Sequence, residues 1–280
     1  MKLLRDLPEL RAWRAEQSAP VGFVPTMGYL HEGHLELVRR ARRETACALV
    51  SIFVNPTQFG PAEDLDSYPR DLQRDVDLCR EAGAEAVYAP EPADVYWPDA
   101  TTWVEVHGLD RPLCGRFREG HFRGVATVVA KLVHRVQPRK AYFGEKDFQQ
   151  LTIIRRMVRD LDFPLEVVPV PTVREPDGLA MSSRNVRLSP DGRQRATALF
   201  AALTTAREAV ERGERDAEAA VSAAGQVLRG AGIEPQYLEL VQADNLEPAS
   251  NPLAGRLVLA VAAFVDGVRL IDNLRIEVGE

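Results

Sequence analysis

Short apolar runs alternate with amphipathic stretches from residue 21 to residue 171, and this alternation limits the possible folds more than any other feature. An apolar run of strand length predicts a buried strand, and apolar residues recurring every three or four positions predict a helix. Strands are predicted at 21–25, 48–55, 84–90, 140–146 and 165–171, with helices at 35–44, 72–83, 124–136 and 148–161. Continuous apolar strands separated by helices favour a parallel sheet covered on both faces.

The pattern changes after Pro169-Val170-Pro171. Ser189 followed by Pro190 is typical of a helix start, and a second helix is predicted over 217–228. Strands are predicted at 237–241, 257–265 and 268–273, and Asp266-Gly267 indicates a two-residue hairpin between the last two. The sequence therefore predicts an α/β domain with a doubly wound parallel sheet over 1–171 and a smaller α+β domain over 172–280.

Composition excludes several classes of protein. The 280 residues carry 35 basic and 41 acidic side chains, and the net charge of 35 − 41 = −6 argues against a broad nucleic-acid surface. The three cysteines form no CxxC pair, so neither a disulfide framework nor a zinc knuckle is supported. Cys47 and Cys79 fall in apolar patterns and are predicted to be buried thiols.

No targeting or membrane segment is predicted. Asp6 and Glu9 lie where a signal peptide would be apolar. The longest apolar run, 257–265, is far shorter than the ~18 residues that a membrane span requires. A soluble cytoplasmic protein without a membrane partner is expected.

The stretch TMGYLHEGH, residues 26–34, places two of the chain's five histidines where a strand gives way to a helix. His31 and His34 are three apart and share a face of the first helical turn. Gly28 and Gly33 allow close approach of a phosphate, and a helix start favours an anion. Surface or capping histidines without a ligand are an equally good explanation, whereas HEGH lacks the HExxH spacing of a zinc site.

A second polar stretch, GEKDFQQ at 144–150, lies at another predicted strand-to-helix turn. Lys146 is one of only four lysines in the chain, and a lysine at such a turn suits phosphate binding. Asp147 and Gln150 also fit a capping box, which explains both residues without a ligand.

Three further stretches carry polar side chains. In NPTQ, Asn55 and Gln58 follow a predicted strand, where neutral amides suit a carboxylic acid that must remain nucleophilic, although a plain turn explains them too. SSRN at 182–185 suits a polyphosphate or is a polar surface turn. The stretch 118–125, with His121, is a mobile basic lid or a solvated loop.

Together these motifs resemble a known family. TMGYLHEGH and MSSRN resemble the two signatures of the HxGH adenylating nucleotidyltransferase superfamily, which has a Rossmann-like sheet. With NPTQFG, GHFRGV, FGEKDFQQ, DGLAMSSRN and RLIDN in this order, residues 23–273 resemble the pantothenate synthetase family, also called pantoate–β-alanine ligases. The chain departs from the family pattern at Tyr29, where a small residue is frequent, and at Arg139, where an acid is expected.

The resemblance implies an ATP-dependent ligase of coenzyme A biosynthesis. Members join (R)-pantoate to β-alanine through a pantoyl adenylate, release AMP and pyrophosphate, need Mg²⁺ and are commonly homodimers. It implies that His34 is the proton donor, with His31 and Lys146 also catalytic, and that Gln58 contacts pantoate and β-alanine. The implied ATP contacts are Met27, Gly28, Tyr29, Leu30, His31, Glu32, Gly33, His34, Gly144, Glu145, Lys146, Asp147, Val173, Met181, Ser182, Ser183 and Arg184.

Pantoate contacts are further implied for Gln150 and, less directly, Asn55, whereas no protein ligand is assigned to Mg²⁺, which is expected mainly on the ATP phosphates. The segment carrying MSSR is expected to act as a lid. Other nucleotidyltransferases and aminoacyl-tRNA synthetases share the two signatures, and a non-catalytic nucleotide sensor is a third alternative. The Asn55–Gln58 region argues against the first, and the short acidic chain argues against the second.

Overall fold

The computed structural model describes residues 1–61 and 63–279 of the chain. The backbone groups into two units that are not simple halves of the sequence. The first unit holds Met1–Asp110, Gly115–Glu145 and Gln150–Pro171, and the second holds Arg111–Cys114, Lys146–Gln149 and Thr172–Glu280. Lys146 is thus grouped with the C-terminal part of the chain.

A six-stranded sheet forms the centre of the first unit, and its parallel arrangement is the one that the sequence predicts. Its strands are β1 (Lys2–Leu4), β2 (Val21–Thr26), β3 (Cys47–Ile52), β4 (Ala86–Tyr88), β5 (Lys140–Gly144) and β6 (Glu166–Val170). The spatial order is β1-β4-β3-β2-β5-β6. The chain leaves β2 towards β3 and β4, then returns to place β5 on the other side of β2. The strand order therefore reverses between β2 and β5, and ligands bind beyond the carboxyl ends of strands at such a point.

Helices cover both faces of this sheet. They are α1 (Leu7–Ala15), α2 (Glu32–Glu44), α3 (Leu72–Glu81), α4 (Pro92–Val95), α5 (His121–Val136) and α6 (Phe148–Asp160), and 3-10 helices span Pro56–Gln58, Leu113–Phe117 and Glu145–Asp147. Neighbouring β2 residues belong to different cores: Phe23 packs with α1, α5 and α6, and Val24 packs with α2 and α3. Successive strand side chains point to opposite faces, which explains why the strands are apolar throughout.

The second unit contains a three-stranded antiparallel sheet in the order β7 (Pro235–Gln242), β8 (Gly255–Val265) and β9 (Val268–Val278). Asp266 and Gly267 form the predicted hairpin between β8 and β9, and both adopt positive φ, 51° and 75°. The helices are α7 (Pro190–Ala196), α8 (Ala198–Glu211) and α9 (Ala217–Gly230). Ser189 caps α7 as predicted, because its hydroxyl accepts from Gly192 N at 3.0 Å.

Several elements differ from the sequence-based expectation. Strand β1 and helix α4 were not predicted because they have three and four residues, too few to show a period, and the nine-residue helix α1 was not predicted either. Helix α8, which follows α7 after a break at Thr197, was not separately predicted either. Cys47 and Cys79 are buried as predicted, and burial raises the pKa of Cys47 to about 11 and of Cys79 to about 12. None of the described helices is both long and apolar enough to cross a membrane.

Candidate active site

Three of the predicted polar stretches follow neighbouring strands of the first unit. Residues 27–34 follow β2, residues 53–58 follow β3, and Gly144 ends β5. Since β3, β2 and β5 are adjacent and parallel, their carboxyl ends lie at one edge of the sheet. The switch point of the strand order is at this edge, so the predicted ligand contacts of this unit gather where the topology favours binding.

His31 and His34 form a capping box at the start of α2. His31 is the N-cap residue, and its Nδ1 accepts a hydrogen bond from Gly33 N at 3.2 Å. Nδ1 of His34 accepts from the backbone N–H of His31 at 3.3 Å, and the two ring centroids are 4.0 Å apart. The prediction that both rings share the first turn is confirmed, and both side chains also cap the helix.

This capping geometry determines where each imidazole carries its proton. A nitrogen that accepts an N–H has no proton of its own, so a neutral ring must carry its proton on Nε2. In both His31 and His34, capping therefore uses Nδ1 and makes Nε2 the donor nitrogen. Capping and ligand binding use different atoms of the same side chains and are compatible.

Asp75 on α3 holds the loop between β2 and α2, and sequence reasoning missed it. Its buried carboxylate accepts from Tyr29 N and Leu30 N, each at 2.7 Å. Burial raises the pKa of Asp75, while the two backbone hydrogen bonds oppose this shift. A Cβ on Gly28, whose φ is +85°, would come 3.0 Å from the carboxylate, which explains the glycine. An acidic residue beside the apolar Val76 on the buried helix face was the available sequence signal.

The remaining members of 27–34 are placed by the same loop and helix. Tyr29 adopts φ 48°, a left-handed conformation uncommon for a bulky residue, and its ring lies under the Arg74 guanidinium at 5.0 Å. Leu30 is completely buried. Glu32 is the first residue of α2 and pairs with Arg39 on the same helix.

Gln58 is buried in the 3-10 helix after β3, and Asn55 fixes the orientation of its amide. Asn55 Nδ2 donates to Gln58 Oε1 at 3.0 Å, while Gln58 Nε2 contacts Met27 Sδ at 3.1 Å. The nitrogen of Gln58 is thereby directed towards the loop that follows β2. Two sequence-predicted stretches thus come together through their own side chains.

Asn55 is itself surrounded by partners. Its Oδ1 accepts from Tyr96 Oη at 2.8 Å and from Thr57 Oγ1 at 2.9 Å, and its Nδ2 also donates to Gly124 O at 3.2 Å. The side chain is 1% exposed. These contacts favour a role in positioning Gln58 over direct contact with a substrate. Tyr96 was not identified from the sequence, and Gly124 was included only as part of the 118–125 stretch, without an assigned contact.

His121 and Arg118 both donate hydrogen bonds to the backbone carbonyl of Gln58. The Gln58 carbonyl accepts from His121 Nδ1 at 2.8 Å, so that nitrogen carries the proton. His121 Nε2 then accepts from Arg118 Nη1 at 3.0 Å, and Arg118 is also ion-paired with Glu63. His121 is 8% exposed and begins α5, so residues 121–125 are helical and the solvated-loop interpretation is wrong for them.

The second unit contains most of the other predicted ATP contacts. Val173 and Met181 lie opposite each other in a short hairpin, with Met181 N donating to Val173 O at 3.0 Å. The hairpin leads into a 3-10 helix, Ser183–Arg187, which Ser182 caps by accepting from Arg184 N at 3.2 Å. Lys146 lies in the 3-10 turn Glu145–Asp147. Ser183 is buried, whereas Ser182 and Arg184 are half-buried.

Gln150 and Asp147 lie in or next to helix α6, and Asp147 bears on how Mg²⁺ could be bound. Gln150 is half-buried on α6, and Asp147 is exposed in the turn before that helix. Within the described ranges, no three His, Cys, Asp or Glu side chains are grouped as a metal site. Mg²⁺ commonly uses one or two carboxylates together with substrate phosphates, so the exposed carboxylate of Asp147 fits this mode of binding.

Comparison with known proteins supports one family. A family model described as pantoate-beta-alanine ligase matches residues 2–275. Pantothenate synthetase 1 of Bradyrhizobium diazoefficiens is 51% identical over 277 residues, 98% of each chain. Pantothenate synthetase of Thermotoga petrophila is 49% identical over 277 residues, 98% of this chain and 99% of its own.

Solved structures give the same result. The crystal structure of pantothenate synthetase from Thermus thermophilus matches with a TM-score of 0.95 at 50% identity, covering 99% of this chain and 100% of that one. Pantoate-beta-alanine ligase from Francisella tularensis, complexed with beta-gamma ATP and beta-alanine, matches with a TM-score of 0.80 at 31% identity. That match covers 98% of this chain and 97% of the other.

Proposed function

Because the chain belongs to the pantoate–β-alanine ligase family, we propose that it makes pantothenate with the residues described above, in two steps on one site. It is a carbon–nitrogen ligase of pantothenate synthesis. The observation that carries the residue assignment is the histidine capping box, which makes Nε2 the donor of both rings at the carboxyl end of β2.

In the first step, a carboxylate oxygen of (R)-pantoate attacks the α-phosphorus of ATP. The bond from that phosphorus to the oxygen leading to the β-phosphate breaks, and pyrophosphate leaves. In the second step, the amine of β-alanine attacks the acyl carbon of pantoyl adenylate and loses a proton. The bond to the AMP oxygen breaks, which yields pantothenate and AMP.

The first step requires stabilisation of charge on the α-phosphate and on the leaving pyrophosphate. Phosphoryl transfer is catalysed mainly by positioning and by preorganised donors. His34 and His31 supply Nε2–H donors from the first turn of α2, and His34 is the proton donor. The backbone of 27–34, held by Asp75, lines the nucleotide.

Gln58 binds the two small substrates. Asn55 leaves the Gln58 nitrogen as a donor directed towards the loop after β2, which suits the carboxylate and hydroxyl oxygens of pantoate and the carboxylate of β-alanine. Gln150 is a second neutral contact for pantoate. Neutral amides hold the nucleophilic carboxylate without the ground-state stabilisation of a salt bridge. Asn55 contributes to substrate binding by fixing the orientation of the Gln58 amide.

The second unit contributes further donors for the triphosphate. Lys146 supplies a mobile point charge, and Ser182, Ser183 and Arg184 supply hydroxyls and a guanidinium. Gly144, Glu145, Asp147, Val173 and Met181 complete the ATP contacts. Mg²⁺ would be held mainly by the ATP phosphates, with the exposed carboxylate of Asp147 as the protein group that could join them, and it would neutralise phosphate charge.

Location in the cytoplasm, homodimer formation and the absence of a nucleic-acid partner are further parts of this proposal. The negative net charge of −6 and the family resemblance support them. Size-exclusion chromatography with light scattering tests the dimer. A mass of about 62 kDa, twice that of the 31.1 kDa chain, is expected, and a monomer would refute it.

The central test is an assay with purified protein. Pantothenate and AMP should form only when ATP, pantoate and β-alanine are all present. Without β-alanine, radioactive pyrophosphate should exchange into ATP only if pantoate is supplied, because the adenylate forms reversibly. Exchange without pantoate, or AMP transfer to another acceptor, would contradict the mechanism.

A further inference from the structure

We propose that Asp272 and Asn273, neighbours on β9, position two separate ATP-binding segments, the Lys146 turn and the loop from Val173 to Arg184. The inference rests on the proposed function, which assigns both segments to the triphosphate. It gives a role to the RLIDN stretch, 269–273, which carries no substrate contact in that function. All the residues involved belong to the second unit.

Asp272 holds Arg174 in a buried, two-bond ion pair. Arg174 Nη1 donates to Oδ2 at 2.7 Å and Nη2 donates to Oδ1 at 2.9 Å. Asp272 is 3% exposed, so this carboxylate depends on its partners for charge compensation. Paired guanidinium–carboxylate bonds fix orientation as well as distance, which suits an anchoring role.

Arg174 in turn shapes the hairpin that leads to Ser182. Its Nη1 also donates to Gly178 O at 3.0 Å, and its guanidinium stacks 3.9 Å from the Phe200 ring centroid. Gly178 has φ +93°, and a Cβ there would lie 2.5 Å from the same ring. The base and the tip of the hairpin are thus fixed by one side chain. That side chain is held by Asp272.

Asn273 reaches the other segment. It is 7% exposed, and its Nδ2 donates to the backbone carbonyl of Lys146 at 2.8 Å. An amide suits this position because it donates a hydrogen bond without placing a cation near the Lys146 ammonium. The bond joins residues 127 apart in the chain.

Asp272 and Asn273 act together because they are consecutive residues of strand β9. Neighbouring residues of a strand are about 3.3 Å apart and direct their side chains to opposite faces. Asp272 therefore holds the hairpin from one face of β9 while Asn273 holds the Lys146 turn from the other. One strand therefore fixes the backbone position of the Lys146 turn relative to that of the hairpin leading to Ser182–Arg184, which is the positional order that preorganised phosphate donors need.

The first test is Asn273→Asp, which keeps the shape but replaces the donor with a carboxylate facing the Lys146 carbonyl. Pantoate-dependent pyrophosphate exchange should fall by about a hundredfold, the loss that a misplacement of about 1 Å can cause. Pantothenate release from supplied pantoyl adenylate should stay unchanged, because the triphosphate is already gone. Glu277→Gln, an exposed change on the same strand, is the matched control and should leave both steps unchanged. Equal losses in both steps, or no loss in exchange, would overturn the inference.

A double-mutant cycle tests whether Asn273 acts through Lys146. Asn273→Ala should slow exchange strongly in the wild-type background and little in a Lys146→Ala background, since coupled residues are not additive. The same fold-loss in both backgrounds would show a general structural role and refute the proposal. If Asn273 variants do not fold, Asp272→Asn tests the other anchor with the same two assays. The wild-type protein reports on the proposed function separately, because its exchange activity involves no substitution.

Discussion

Asn55 donates from Nδ2 to Oε1 of Gln58 across 3.0 Å, and this bond decides which end of the Gln58 amide is available to a ligand. With the oxygen committed to Asn55, the nitrogen faces Met27 and the loop after β2. A buried glutamine amide has little preference of its own between its two orientations. Asn55 therefore determines that the Gln58 amide offers a hydrogen-bond donor, and not an acceptor, to a ligand.

Asn55→Asp should weaken pantoate binding. A carboxylate at position 55 accepts but does not donate, so the Gln58 amide turns over and presents its oxygen to an anionic substrate. We expect the KM for pantoate to rise about tenfold, equivalent to about 1.4 kcal/mol, with the KM for ATP little changed. Asn245→Asp, an exposed change far along the chain, is the control. Steady-state kinetics with both substrates varied measure the effect, and an unchanged pantoate KM would contradict it.

His34→Ala should lower adenylate formation at least a hundredfold, about 3 kcal/mol, because one preorganised donor is lost. Pantoate-dependent pyrophosphate exchange measures this step. His34→Asn separates the two uses of the ring, because its side-chain oxygen can still accept from His31 N but no Nε2 donor remains. We expect stability near that of the wild type and activity as low as that of the alanine variant. Full activity in either folded variant would refute the donor role.

Asparagine and glutamine substitutions of His121 should have different effects on the affinity for pantoate. The nitrogen of an asparagine occupies roughly the place of Nδ1, whereas that of a glutamine is nearer Nε2. His121→Asn should therefore keep the bond to the Gln58 carbonyl and retain most activity, while His121→Gln should lose pantoate affinity. Pantoate KM values of both variants give the measurement, and the reverse order would exclude this hydrogen bond as the functional contact.

Gly124 leaves space for the substrate-binding 3-10 helix. A Cβ there would lie 2.4 Å from Thr57 O and 2.8 Å from Gln58 Cα, so Gly124→Ala must displace that segment. We expect a loss of about 1–3 kcal/mol in the free energy of unfolding and a higher pantoate KM. Gly230→Ala is the matched control, since nothing lies within 4 Å of its Cβ. Urea unfolding with similar losses for both variants would count against the steric argument.

Asp177 gives a pH-dependent contribution to stability. Arg193 hydrogen-bonds to its carboxylate at 2.7 and 3.0 Å and lowers the pKa of Asp177. A depressed pKa means that the stabilisation is complete above the ordinary value of about 4 and is lost as the pH falls through the folded-state value. Because the pair is partly exposed and screened, Asp177→Asn should cost less than about 0.5 kcal/mol at pH 7.

Urea unfolding of the wild type and Asp177→Asn over a pH series tests this sign. The difference between the two proteins should shrink as the pH falls below about 4. A difference that grew on acidification would contradict the lowered pKa.

The sequence alone predicted most of the strands and several of the helices, and it indicated the class of site. The alternation of apolar runs and amphipathic stretches predicted the parallel sheet, and Asp266-Gly267 predicted the hairpin of the second unit. The histidine motif at the end of β2 indicated a nucleotide site. Periodicity, turn chemistry and helix capping depend on neighbours a few residues apart, so a single sequence shows them directly.

Only the tertiary structure decided how the site residues are held. Asp75 meets Tyr29 across 46 residues, His121 meets Gln58 across 63, and Asn273 meets Lys146 across 127. Each is a buried polar side chain whose partner is a backbone N–H or carbonyl, and every residue except proline offers both. A local sequence pattern therefore does not indicate which residue provides the backbone hydrogen-bond partner. The packed chain selects it, because burial away from water requires each polar group to find a hydrogen bond.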